Sequence, residues 1–118
     1  VRFVADAKSI AGLVDGGWRK AAFEPFREGV EICRIAGDPA GASVALLRYR
    51  PGASVPMHEH TGLETVIVLD GVQLDERGRY AAGTMAVNPA GTRHSVWSEE
   101  GCVVLIHWES PVRILEQE

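Results

Sequence analysis

The chain has 118 residues, of which 12 are Lys or Arg and 16 are Asp or Glu, for a formal net charge of −4. That acidic balance, with its basic residues scattered, excludes the clustered cationic surface through which nucleic-acid binders neutralise phosphate. No run approaches the roughly 18–20 consecutive apolar residues of a membrane-spanning helix.

A hydrophobic content of 46% is that of an ordinary globular chain. This length buries one core without staples, so residues 1–118 are expected to form a single domain. The two cysteines, Cys33 and Cys102, are far apart and form no CxxC, so they read as buried reduced thiols rather than a disulfide framework. No signal-peptide pattern opens the sequence, and with reduced thiols this points to a cytoplasmic location.

In chain order, residues 6–14 carry Ile10, Leu13 and Val14 at helical spacing, which predicts a short N-terminal helix or arm. Gly12 and the Gly16-Gly17 pair keep it short. From Trp18 onward the pattern becomes β-rich. Runs at 18–23, 29–36, 43–50, 54–60, 64–69, 72–74, 84–88, 94–98, 102–108 and 112–115 are separated by turn residues. The breaks include Gly37-Asp38-Pro39, Pro51-Gly52, Asp70-Gly71, Asp75-Glu76-Arg77-Gly78 and Glu100-Gly101. Many short strands with regular turns and almost no helix predict an all-β sandwich or barrel.

Three of the four histidines lie in one patterned stretch. From Gly52 it runs to His58, His60, Glu64 and Gly71, and after eleven residues it continues through Gly83, Pro89 and Gly91 to His94. His58 and His60 are two apart, so on a strand both face one side, with Cα atoms roughly 6.5 Å apart. Glu64 follows the Thr61-Gly62 turn and opens the next strand, where its carboxylate can swing back over the same site. His94 arrives from a later strand. Three imidazoles and a carboxylate suit one divalent transition metal (Zn, Fe, Mn, Ni or Cu) better than Ca or Mg. The competing reading, three core histidines bonded to backbone, fits a lone His better than a convergent set.

This stretch resembles both halves of the cupin signature, which implies a jelly-roll-like β-barrel. The Asn that usually follows the second-motif His by four residues is Ser98 here. A closer resemblance, over about residues 25–110, is to the cupin domain of ChrR-type anti-sigma factors. It is carried by Leu47-Arg48-Tyr49-Arg50-Pro51-Gly52, Val68-Leu69-Asp70-Gly71, Asp75-Glu76-Arg77-Gly78-Arg79-Tyr80 and Ser98-Glu99-Glu100-Gly101-Cys102. The resemblance implies a zinc on His58, His60, Glu64 and His94. Those anti-sigma factors also have an N-terminal helical domain with its own zinc site, for which this sequence shows no counterpart, so sigma binding is not carried over.

Strand parity sets Val66 and Val68 on the face of Glu64, Val96 and Ser98 on the face of His94, and Tyr49 inward with Ala45 and Leu47. Tyr49 is a catalytic candidate beside its alternative as a satisfied core aromatic. His107 is the second catalytic candidate, on a strand apolar on both faces. Trp97, Ile67 and Leu69 fall opposite the ligands and need a cover, either the N-terminal segment (Trp18, Phe23, Phe26) or a second copy in a homodimer. Two functional classes follow. One is a ChrR-like module using its metal in sensing or small-molecule binding. The other is a small metal-dependent enzyme, of dioxygenase or isomerase type, acting on a small organic substrate. Whether the chain is an enzyme stays open.

Overall fold

The computed structural model describes residues 6–115. A 3-10 turn at Gly17–Lys20 leads into ten strands: β1 Glu24–Arg27, β2 Val30–Gly37, β3 Ser43–Tyr49, β4 Ala53–Glu59, β5 Glu64–Asp75, β6 Gly78–Ala81, β7 Met85–Asn88, β8 Arg93–Ser98, β9 Cys102–Trp108 and β10 Arg113–Ile114. All their pairings are antiparallel, in the order β1-β2-β3-β9-β5-β8-β4-β10, with β6 and β7 also hydrogen-bonded to β5.

The curl of this sheet turns on β5. Its first half pairs with β9 and β7, and its second half with β6 and β8. The sequence predicts two runs here, split at Asp70-Gly71, whereas the structure has one continuous strand. The register against β9 slips between Val68 and Asp70, a bulge that bends the strand without reversing it. Gly71 makes the bend possible. Its φ is +72°, and a Cβ there would lie 2.1 Å from the Gly101 carbonyl oxygen.

Two further strands lie outside the predicted runs. β1 contains Pro25, which suits only an edge position. β6 is four residues of mixed polarity that close a hairpin on the end of β5, where the sequence predicts only a turn.

The core has two layers. Inside the curl, Val30, Ile32, Leu47, Val66, Val104 and their neighbours form the main cluster. On the outer face, Trp18, Leu46 and Val103 pack with Leu13, Phe23, Leu69 and Leu105. The N-terminal arm is therefore the cover that Leu69 requires. It takes the arm form, not the helical one, of the helix or arm predicted over 6–14. Residues 6–10 have no regular structure and residues 11–16 form turns, because Gly12, at φ +71°, leaves the helical region. Ile10 and Val14 stay exposed and only Leu13 packs. Phe26 belongs elsewhere: it is the extra residue of the β1 bulge and lies with its ring centroid 6.3 Å from that of Trp108.

Because Trp18 ties the arm to the outer sheet without reaching the inner layer, Trp18→Ala is expected to cost about 3–5 kcal/mol in urea unfolding. Metal uptake by the folded fraction should be unchanged, and a loss of metal binding in that fraction would contradict the two-layer division.

Candidate metal centre

β4 and β8 lie side by side, and the register sets His58 directly opposite His94. Directly opposed residues share a face, so both imidazoles enter the barrel. His60 sits just past the end of β4. Its amide donates to the Thr92 carbonyl at 2.9 Å, and its own carbonyl accepts from Gly91 at 2.8 Å. These bonds keep the alternation that buries His58 and His60 on either side of half-buried Glu59. The three rings meet at centroid separations of 4.7–5.1 Å, and a ligating nitrogen from each lies within 4.8 Å of the others.

Each Nδ1 already has an oxygen partner. That of His58 lies 2.8 Å from the Pro56 carbonyl, that of His60 lies 2.9 Å from Thr92 Oγ1, and that of His94 lies 2.9 Å from Asp75 Oδ2. Such partners fix the tautomer with the proton on Nδ1 and leave Nε2 with a free lone pair. Nε2 of His60 and of His94 is buried with no hydrogen-bond partner. An orphaned buried polar atom costs about 1–3 kcal/mol. Two of them, aimed into one point with a third imidazole, fit a divalent cation.

Glu64 stands beside this trio, with Oε1 3.3 Å from His60 Nε2. Its cross-strand neighbours on both sides hold it. Asn88 Nδ2 donates to Oε1 at 3.1 Å, and Trp108 Nε1 donates to Oε2 at 3.1 Å. Each carboxylate oxygen keeps lone-pair capacity for an ion. The four residues singled out by the sequence are thus together and buried, with the three histidines as the tight cluster.

The supporting residues were not legible in the motif. Asp75 accepts from Tyr80 Oη at 2.7 Å and from the Arg77 amide at 2.8 Å, besides facing His94. Burial pushes its carboxyl up, but bonds from Tyr80, His94 and the Arg77 amide outweigh this and hold it at about 2. Arg77 also donates to Asn88 Oδ1 at 2.8 Å, so one turn braces the partners of both His94 and Glu64. Glu76 on the same turn accepts from the Ser95 amide at 3.0 Å, fixing the backbone next to His94. A signal for Asp75 existed. Once the bulge in β5 is counted, the inward positions 64, 66 and 68 continue as 71, 73 and 75.

Above the imidazoles is a cavity of about 50 Å³, walled by Leu47, Val55, Val66, Val96 and Ile106. Tyr49 and Gln73 give it a polar corner. Tyr49 is buried as expected, and burial, reinforced by the Cys102 and Glu64 charges, raises its hydroxyl above the usual phenol range. His107 is not brought to the centre. It alternates with Val103 and Leu105, whose side chains belong to the outer layer, while Cys102, Val104 and Ile106 point inward. Ser98 is fully buried and its hydroxyl bonds the Val72 carbonyl, a structural use of the position that usually carries Asn. Both cysteines are free, Cys102 in the inner layer and Cys33 in the outer. Burial pushes the Cys102 thiol up to about 11.

The family model described as the ChrR cupin-like domain matches residues 17–111. The anti-sigma-E factor ChrR of Cereibacter sphaeroides is 36% identical over 113 residues, covering 92% of this chain and 53% of that protein. The chain belongs to the ChrR cupin-like domain family. It spans about half the length of that curated relative. Among solved structures, Rhodobacter sphaeroides SigE in complex with the anti-sigma ChrR matches at TM-score 0.69 and 28% identity, covering 91% of this chain and 60% of that one. An acetylacetone dioxygenase from Acinetobacter johnsonii matches at TM-score 0.77 and 14% identity, over 99% and 82% of the two chains. At that identity the likeness is one of fold, and it makes the barrel of this ChrR-like domain a cupin barrel.

Removing the charge that orients His94 tests this support. Asp75→Asn is expected to weaken divalent-metal binding about 10- to 100-fold without changing stoichiometry, measured by chelator competition. Unchanged affinity would contradict the orienting role. The depressed carboxyl also has a pH signature. An acid held at about 2 in the folded state contributes stability that is complete above the ordinary range near about 4 and is lost as pH falls through the folded value. Metal-free wild type should therefore exceed Asp75→Asn in urea midpoint above about pH 4, with the gap closing toward about pH 2. A gap constant with pH would contradict it.

Proposed function

We propose that this ChrR-like domain is a sensing or small-molecule-binding module built on one divalent metal, zinc first, held by His58, His60, Glu64 and His94. The observation that carries the reading is the pair of buried, unpartnered Nε2 atoms on His60 and His94, converging with His58 beside the Glu64 carboxylate. When bound, a divalent ion would supply a fixed positive charge at the floor of the apolar cavity. Zinc favours four ligands, and three imidazoles with one carboxylate meet that number, leaving a closed centre. Such a centre serves a module whose state changes with its surroundings better than one that turns substrate over. The partner SigE is that of the structural relative and is not assigned to this chain. A homodimer through Met85 and Val87, the exposed apolar pair on β7, is part of the same proposal. A concentration-independent monomer mass by light scattering would contradict the dimer.

A second reading has its own observation. The apolar cavity opens onto the centre and carries Tyr49 and Gln73, groups that could orient a small substrate. If the ion is iron, manganese or nickel, six-coordination leaves two positions open and favours a small cupin enzyme of dioxygenase or isomerase type.

Elemental analysis of protein purified without a His tag or chelator separates the two. About one zinc per chain supports the sensing or binding module. About one iron, manganese or nickel supports the enzyme. No metal, and no uptake on reconstitution, would count against both. His58→Ala is expected to abolish metal retention, because an imidazole ligand is lost, and Glu64→Gln to weaken it. Wild-type stoichiometry in folded His58→Ala would overturn the site.

A further inference from the structure

We propose that the barrel binds a small organic acid, with its carboxylate held at the mouth by Arg27 and Arg34 and its apolar body directed toward the metal centre. The proposal deepens the reading above and rests on it only for the metal end of the ligand.

The two arginines are placed by register. In β2, Val30 and Ile32 are buried in the inner layer, so Arg34, two positions further on, belongs to the same face. Its partner across the sheet is Ala45, itself an inner-layer residue. Arg27 is paired with Val30, which directs it inward as well. At the open end of the curl Arg34 is exposed and Arg27 half-buried, so both guanidiniums can be reached by a ligand from solvent. Among the described residues neither Arg27 nor Arg34 makes an ion pair or a side-chain hydrogen bond. Arg48, Arg77, Arg79, Arg93 and Arg113 each have an acidic partner; among the described residues Arg19, stacked on Trp18, and Arg50 also have none, but neither lines the cavities at the metal centre.

What holds them instead is Phe26. The bulge in β1 makes Phe26 an extra residue and re-aims it. The guanidinium carbons of Arg27 and Arg34 lie 5.5 Å and 5.8 Å from its ring centroid. A guanidinium stacked on a ring keeps its N–H fork free for a carboxylate.

Two spaces adjoin between the arginines and the imidazoles. A vestibule of about 170 Å³ is lined by Arg27, Arg34, Ser43 and Trp108. The inner cavity of about 50 Å³ shares Phe26, Arg27, Trp108 and Val112 with that vestibule and reaches His58, Glu64 and His94. The path runs from two unpaired cations, through an apolar sleeve, to a polar floor. The small inner volume admits a branched chain of few carbons and excludes a large ring system. A cationic ligand is disfavoured at the mouth, and a neutral one leaves the two guanidiniums without a partner.

The test uses metal-loaded protein and two isosteric probes, isovalerate and isovaleramide, titrated at millimolar concentration by calorimetry and by tryptophan fluorescence. Isovalerate is expected to bind at least about tenfold tighter than the amide, with salt weakening the acid alone. Arg27→Gln and Arg34→Gln should each reduce acid affinity about tenfold and leave amide binding unchanged, and the double variant should abolish the preference. Arg79→Gln, which removes a surface arginine paired with Glu100, should behave as wild type. Equal affinity for acid and amide, no binding of either, or a preference surviving in the double variant would each overturn the proposal. Metal content is read separately on the same samples. Acid preference in protein that takes up no metal would sink the metal reading and leave the arginine clamp standing. Normal metal content with no acid preference would do the reverse.

Discussion

Three imidazole nitrogens aimed into one buried point are the constraint on which the rest of this structure depends. Each ring is committed on its Nδ1 side, to Pro56, Thr92 or Asp75, so the Nε2 side has no freedom to look elsewhere. Two of them, on His60 and His94, are buried and unpaired, which is costly in an apolar interior. The cost is tolerable in a centre that receives a cation, and the surrounding hydrogen bonds make sense as devices that keep the rings ready for one. Glu64, held by Asn88 and Trp108 on its two flanking strands, stands where its carboxylate would offset such a cation.

β5 turns this local chemistry into a fold. It begins with Glu64 at the centre and ends with Asp75 behind His94, so one strand carries both a candidate ligand and the support of another. Between them the bulge and Gly71 bend the strand from its pairing with β9 to its pairing with β8. The turn that follows adds Glu76 and Arg77, which fasten the backbone at Ser95 and the side chain of Asn88. The centre and the bend are therefore coupled: misplacing the strand would move Glu64 and Asp75 together.

Much of the site was legible because its residues obey simple parity. His58, His60, Glu64 and His94 stand at spacings that strand alternation and one tight turn convert into convergence. Val66, Val68, Val96 and Tyr49 went inward for the same reason. Parity failed where the backbone departs from a plain strand. It lost count at the β5 bulge and so missed Gln73 and Asp75. It could not anticipate the β1 bulge that turns Phe26 to the barrel mouth rather than over the outer face. Of the helix or arm expected at the N-terminus, the arm is what forms, because apolar spacing at Ile10, Leu13 and Val14 was outweighed by Gly12 adopting a positive φ. His107, undecidable on a strand apolar on both faces, was resolved only by the membership of its neighbours in the outer layer.

X-ray absorption at the metal edge of the reconstituted protein tests the central claim most directly. The expected spectrum has a shell of nitrogen and oxygen scatterers near about 2.0–2.1 Å with the outer-shell pattern of three imidazoles and no sulfur. A sulfur shell near about 2.3 Å would move the metal to a cysteine, and an oxygen-only shell without imidazole scattering would place it on the surface. Either result would contradict a centre built on His58, His60, Glu64 and His94.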